Sequence, residues 1–380
     1  MIDRSKRALP GALAARLHDR ARVSRSVGNL ARGEALARKA VALFERSTGG
    51  GPSDLAEALN TLGAILVDQG RFAQAEACHA RALRLVANPA APRAAEPRIV
   101  RVRVQSLRYL GNVLRIRGRY RDADAMFGRA LALASAALGG RDLETASVLN
   151  DHAALEKYMG RFDSAARRYR RALAIIDAAG GRNSTMAATV YHNLGGLEHA
   201  RGRYARGEPF ARRAVVLRRR ALGAAHLAVI ADEVAWAGLL DGLGRIRQAE
   251  AVYRRAIAVF TAELGDAHPE LVVPYNNLAA IAAARGDGSE ARALYTSALA
   301  IKRRVLGRAH PDVAVTMNNL GMLYASEGKQ ARACSLITTA LAIFERCVGR
   351  RHTSYLACRD NLRAIQRGVS QVRSTVRSPS

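Results

Sequence analysis

The sequence contains few of the residues that hold small secreted domains or metal centres together. It has four cysteines in 380 residues, and no two of them have the Cys-x-x-Cys spacing of a zinc or redox motif. This composition disfavours a disulfide framework and a zinc site, and it predicts reduced thiols in a cytoplasmic protein. No apolar run approaches the ~18 residues that a membrane-spanning helix needs, so we expect no membrane span.

Motifs that carry catalysis are missing as well. The chain has no phosphate-binding glycine loop, no His-Glu-x-x-His and no Gly-x-Ser-x-Gly. Four histidines recur at the repeat period of 42 residues, so we expect them one whole repeat apart and too distant to share one metal ion: His226, His268, His310 and His352. Each of them precedes a predicted helix, which we expect it to open. The sequence therefore predicts no cofactor, no metal and no enzymatic activity.

Acidic residues are outnumbered by basic ones. The chain has 60 Lys and Arg against 32 Asp and Glu, for a formal net charge of +28. Such an excess is typical of proteins that bind anionic partners. Nearly all the basic residues are arginine, however, and the chain is rich in alanine and glycine, which a GC-rich genome produces without selection for any partner. Both explanations stay open.

The chain does contain a repeated pattern. Eight glycines recur at steps of 42 residues, with a single step of 48: Gly28, Gly70, Gly118, Gly160, Gly202, Gly244, Gly286 and Gly328. We call them turn glycines and number positions from them, so that Gly63 lies at −7 of its repeat. Alanine occupies +12 in all eight repeats, and alanine or glycine occupies +5 and −7. Small residues at fixed positions let paired helices approach closely, so the pattern predicts a solenoid of helix–turn–helix repeats.

These residues resemble the tetratricopeptide repeat. A small residue, a turn glycine, an aromatic residue and two alanines follow one another, as around Gly118-Arg119-Tyr120. The 42-residue step, the Leu-Gly-x-x-His-Pro linker at Leu306–Pro311 and the Asn-Asn-Leu triplets starting at Asn276 and Asn318 are similar to the kinesin light chain variety. The resemblance implies an all-α, right-handed superhelical solenoid of about eight repeats with a capping helix, in a protein that binds other proteins.

The predicted solenoid spans residues 9–368. We expect its repeats at 9–50, 54–88, 98–139, 141–181, 184–223, 226–265, 268–307 and 310–349, and the capping helix at 352–368. Three prolines within 88–97 predict a lengthened loop between repeats, with a hinge between two subdomains as the alternative. Residues 369–380 are rich in serine and arginine, and we expect a disordered tail.

The family resemblance places the first helix of each repeat on a concave groove, with positions −10, −6 and −3 pointing into it. Polar residues recur at −10, and we interpret them as groups that hydrogen-bond an extended peptide; the alternative is that they bridge neighbouring repeats. Basic residues on the same face predict a partner with carboxylates or phosphate. The predicted peptide-binding groove contains Asn60, Arg108, Asn112, Arg115, Asn150, Lys157, His192, Asn193, Asn276, Asn277, Asn318 and Asn319.

These features predict a non-catalytic scaffold that binds an extended, acidic peptide or partner segment in its groove. The alternative is binding of nucleic acid or another anionic surface through arginines of the second helices, such as Arg167, Arg170 and Arg171. Little aromatic interleaving accompanies those arginines, so base stacking is not expected there.

Overall fold

The structure is a computed structural model, and it describes residues 10–46, 51–87 and 96–368. The predicted tail at 369–380 and most of the predicted loop, residues 88–95, lie outside the described residues. The described chain contains seventeen α-helices and no strand. This confirms the expected all-α solenoid of helix pairs.

The odd-numbered helices α1 to α15 are the first helices of eight pairs, the even-numbered ones are the second helices, and α17 follows the last pair. Their bounds are α1 (Pro10–Ser26), α2 (Leu30–Arg46), α3 (Pro52–Asp68), α4 (Phe72–Val86), α5 (Pro97–Ile116), α6 (Tyr120–Ala137), α7 (Leu143–Tyr158), α8 (Phe162–Ala178), α9 (Thr185–Ala200), α10 (Tyr204–Leu222), α11 (Leu227–Gly242), α12 (Ile246–Leu264), α13 (Val272–Arg285), α14 (Gly288–Leu306), α15 (Pro311–Ser326), α16 (Gln330–Cys347) and α17 (Thr353–Gln366). A 3₁₀ turn at Pro269–Leu271 precedes α13.

Each turn glycine adopts the left-handed backbone conformation that reverses the chain between paired helices. Their φ angles run from 68° at Gly202 to 90° at Gly286. A side chain at such a φ is strained, which is why glycine occupies the position in every repeat.

Small residues lie where the two helices of a pair meet. The +12 alanines are all 0% exposed: Ala40, Ala82, Ala130, Ala172, Ala214, Ala256, Ala298 and Ala340. At −7, a Cβ added to Gly63 would lie 2.5 Å from the His79 ring, and one added to Gly321 would lie 2.7 Å from Cγ1 of Ile337. The repeated small residues are therefore the contact points that let the helices pack.

The chain divides into two compact units, residues 1–152 and 153–380, with the division inside α7 and not at the proline-rich segment. In the second unit, α17 packs on the last helix pair. Its Cys358 and Ile365 join a core that contains Ile337 and Phe344 of α16. Helix α17 thus covers the apolar edge that the last pair would otherwise leave open.

Candidate peptide-binding face

Three of the four asparagines at position −10, all but Asn150, contact the helix after their own pair, which is the first helix of the next repeat or, after repeat eight, α17. The hydrogen bonds join Asn60 to Ser106 (2.8 Å), Asn276 to Thr316 (3.1 Å) and Asn318 to Asn361 (3.1 Å). Asn60 and Asn276 are 3% exposed and Asn318 is 2% exposed. Their amides therefore bridge neighbouring repeats.

The bridge at Asn60 extends to His79 and to the backbone of Val102. Its Oδ1 accepts a hydrogen bond from Nδ1 of His79 (3.0 Å), and the hydroxyl of Ser106 donates onward to the carbonyl of Val102 (2.8 Å). Burial lowers the pKa of His79 to about 3, so its ring is neutral and this network carries no charge.

His192 holds the same position in repeat five and binds a carboxylate of repeat six. Its Nδ1 lies 2.8 Å from Oδ1 of Asp232, which is 3% exposed, and Nε of Arg218 donates to the other carboxylate oxygen (2.6 Å). The charge of Asp232 is thus matched from the second helix, at +16.

Arg108, on the predicted basic face of repeat three, is neutralised by acids of repeat four. Arg108 donates to Glu144 (3.0 Å) and to Asp151 (2.9 Å), and its side chain is 15% exposed. Asp151 also accepts from the amides of Asn112 (2.5 Å) and Asn150 (3.0 Å). The sequence marks Arg108 as basic, but it cannot show that two carboxylates reach it from the next repeat.

Position −9, one residue further along each first helix, is the more open one. It is partly exposed in six of the seven repeats from repeat two onward: Thr61, Tyr109, Asp151, Asn193, Ala235 and Asn319. Asn277 is 7% exposed, and its amide donates to the hydroxyl of Tyr253 (3.1 Å). We call the −9 positions of the second unit, from Asn193 to Asn319, the −9 row. One residue turns a side chain by about 100° around a helix, so adjacent asparagines face different surroundings.

The other two basic residues of the predicted groove differ in exposure. Arg115, at −3, is partly exposed. Lys157 is 7% exposed, and its Nζ lies 5.1 Å from the centre of the Tyr158 ring. Arg115 is therefore the more accessible cation of this face.

A second set of contacts between repeats, which the sequence analysis missed, runs along the turns. A carboxylate at +6 accepts from an arginine beside the turn glycine of the next repeat, in the pairs Glu34–Arg71 (2.6 Å), Glu76–Arg119 (2.8 Å) and Glu250–Arg285 (3.3 Å). Repeats seven and eight reverse the order, with Arg292 at +6 and Glu327 at −1. Opposite charges at these two positions are the signal that could have revealed them.

The arginines of the second helices fall into two classes. Several are matched by carboxylates, as in Arg168–Glu156 (3.0 Å). Arg167, Arg170 and Arg171 of α8 are exposed, and they form no ion pair within the described part of the chain. Helix α8 thus presents three cations directly to solvent.

Among the described residues there is no group of three or more His, Cys, Asp or Glu that could hold a metal ion. None of the described helices is both long enough and apolar enough to cross a membrane.

Comparison with known proteins identifies the repeats. A family model for the tetratricopeptide repeat matches residues 13–88, 103–178, 186–262, 233–304 and 270–346. No curated protein sequence matches the chain. A solved Rap protein complexed with Competence and Sporulation Factor shares the fold at 12% identity and a TM-score of 0.59, over 95% of this chain and 99% of that one.

Two further structures are similar at low identity. The Rap conjugation gene regulator of plasmid pLS20, in complex with the Phr* peptide, is 14% identical at a TM-score of 0.59, over 89% of this chain and 95% of that one. A Podosopora anserina putative kinesin light chain is 20% identical at a TM-score of 0.39, over 52% of this chain and 93% of that one. Because the repeat model matches most of the sequence, the chain belongs to the tetratricopeptide repeat family.

Proposed function

We propose that the protein is a non-catalytic scaffold that binds an extended segment of a partner protein along its first helices. The observation that carries this proposal is the −9 row, where Asn193 and Asn319 hold primary amides at partly exposed positions. An amide both donates and accepts, so it matches the N–H and C=O groups of an extended backbone. Membership of the repeat family supports this role, as do the complexes named for two proteins of the same fold.

The test removes the two amides. We expect Asn193→Ala with Asn319→Ala to weaken the partner's binding about tenfold, since two hydrogen bonds of about 0.5–1.5 kcal/mol each are lost. Thr296→Ala with Thr338→Ala is the matched control, because it removes two exposed polar groups from second helices. A partner isolated by affinity capture, then titrated against both variants by calorimetry, gives the comparison. Equal affinities for the two double variants would contradict the proposal.

We also propose that the partner is acidic and that Arg115 carries this preference. The side chain of Arg115 is partly exposed on the first helix of repeat three, whereas that of Arg108 is 15% exposed. The guanidinium of Arg115 suits bidentate binding of a carboxylate.

Arg115→Glu should therefore weaken binding of an acidic partner, while Arg129→Glu on α6 makes the same change of charge on an exposed second-helix surface and should not. Arg108→Glu is unsuitable as a test, because it would place a third carboxylate beside Glu144 and Asp151. If Arg115→Glu and Arg129→Glu weaken binding equally, the preference for an acidic partner comes from net charge alone and not from Arg115.

The exposed arginines of α8 favour a second candidate function, sequence-independent binding of nucleic acid. Phosphates neutralised by arginine release counterions, so affinity falls steeply with salt. Replacing Arg167, Arg170 and Arg171 by glutamine should make the negative slope of log K against log salt shallower by about 2.7, at 0.9 for each phosphate contact on duplex DNA. Fluorescence anisotropy with a labelled duplex measures this slope, and an unchanged slope would reject α8 as the surface.

A further inference from the structure

His352, the residue before α17, contacts Tyr158 at the end of α7, 194 residues earlier in the chain, and both residues belong to the second unit. Nε2 of His352 donates a hydrogen bond to the backbone carbonyl of Tyr158 at 2.9 Å. His352 is also the N-cap of α17, where its Nδ1 accepts from the backbone N–H of Ser354 at 3.2 Å. One imidazole therefore begins α17 and ties it to α7.

The carbonyl of Tyr158 is available because α7 ends at that residue. The last four carbonyls of a helix have no partner further along the helix. Those of Leu155, Glu156 and Lys157 accept instead from the turn that follows, from the N–H groups of Met159, Arg161 and Gly160. The carbonyl of Tyr158 takes its hydrogen bond from His352.

Capping alone does not require the second bond of His352. His226 caps α11 in the same way, with its Nδ1 accepting from the N–H of Ala228 at 3.1 Å. In His352 one ring nitrogen accepts and the other donates, which is the hydrogen-bonding pattern of a neutral imidazole. The bond to Tyr158 is thus additional to the capping role that His352 shares with the other histidines of the 42-residue series.

We propose that His352 and Tyr158 form a clasp that holds α17 against α7 and restricts access to the first helices between them. Asn193 and Asn319 of the −9 row lie on α9 and α15, which the chain places between α7 and α17. A partner segment that binds to α9 and α15 then enters from the side, after the clasp has opened. This regulatory role rests on the proposed function, but the clasp itself exists without a ligand.

The test measures the closure directly, with no partner present. Nitroxide labels on cysteines introduced at Arg161 and Arg351, both exposed, report the distance between the two ends by pulsed electron paramagnetic resonance, in a background without the four native cysteines. In the otherwise unaltered chain we expect one short, narrow distance population. His352→Asn keeps an N-cap acceptor, because asparagine caps helices well, but its side chain is shorter than that of histidine. The His352→Asn variant should therefore lose the short distance population.

His226→Asn is the matched control, since it changes an N-cap histidine of the same unit without touching the clasp. It should keep the short population. A long or broad distribution in the unaltered chain would overturn the clasp, and so would an unchanged distribution in His352→Asn. Neither result depends on partner binding, so failure of the clasp and failure of the proposed function are separate outcomes.

Discussion

Lys302 on α14 is a buried cation, and its removal should make the second unit less sensitive to pH. The residue is 5% exposed, and its Nζ donates to the carbonyl of Asp312 and to the hydroxyl of Thr316, each at 2.9 Å. Burial lowers the pKa of Lys302 to about 8, and the nearby charge of Asp312 acts in the opposite direction. The folded chain therefore holds this proton less tightly than the unfolded chain.

The direction and size of the effect follow from linkage. The pKa of Lys302 is about 8 in the folded chain, and it takes the ordinary lysine value of 10.5 in the unfolded chain. The free energy of unfolding should therefore rise as the pH increases between these two values. At 1.36 kcal/mol for each pKa unit, the penalty for the buried charge at neutral pH is about 3 kcal/mol. It should be fully present below about pH 8 and relieved near pH 10.5.

Lys302→Met removes the charge and keeps most of the aliphatic stem. We expect the variant to lose the rise in unfolding free energy between pH 8 and 10. At pH 7 the free energy of unfolding of the variant should increase by less than about 3 kcal/mol, because Thr316 and the carbonyl of Asp312 lose a donor at a cost of about 1–3 kcal/mol. The single tryptophan, Trp236, packs in a cluster with Ile301 and reports denaturant unfolding of this region by fluorescence.

Lys39→Met is the control, because Lys39 is an exposed lysine of α2. Its pH profile should match that of the unaltered chain. The reasoning fails if Lys302→Met retains the same pH dependence as the unaltered chain.

Three further predictions test packing and register. Gly321→Ala places a Cβ 2.7 Å from a side chain of the paired helix and should destabilise by about 1–3 kcal/mol, whereas Gly128→Ala meets nothing within 4 Å and should stabilise by up to about 1 kcal/mol; denaturant unfolding separates them. Asn318→Ala leaves the buried amide of Asn361 on α17 without its acceptor and should cost about 1–3 kcal/mol, while Asn319→Ala should stay within about 0.5 kcal/mol in the same assay. Burial raises the pKa of Cys358 to about 12, so iodoacetamide at pH 8 should label it only after unfolding, as mass spectrometry can show.

The fold could be predicted from the sequence because its constraints are steric and local. A second helix can lie against its partner only where both have short side chains. Alanine or glycine therefore occupies the same positions in every repeat. Ala82 and Ala298, at +12 in two different repeats, are both 0% exposed. Gly63 likewise leaves the space that the His79 ring fills. Such positions depend on residue type and spacing alone.

The candidate site was less predictable, because each of its residues depends on a helix from another repeat. Asn318 and Asn319 have the same chemistry, yet the first is 2% exposed and bonded to Asn361, while the second is partly exposed. Their difference is one step of helical rotation, which periodicity alone does not orient. Arg108 shows the same limit for charge, since Glu144 and Asp151 meet it only when repeats three and four stack.

Polar bridges distinguish six of the boundaries along the stack in a way that the alanines cannot. The +12 alanines are interchangeable, so packing alone would accept the repeats in several orders. The bridges are different pairs: His18–Thr61, Asn60–Ser106, Arg108–Asp151, His192–Asp232, Asn276–Thr316 and Asn318–Asn361. A buried donor that meets the wrong neighbour loses its partner at about 1–3 kcal/mol, comparable with the effect of a large single mutation. The small residues thus allow the repeats to stack, and at these six boundaries the polar pairs favour the native neighbour over another repeat.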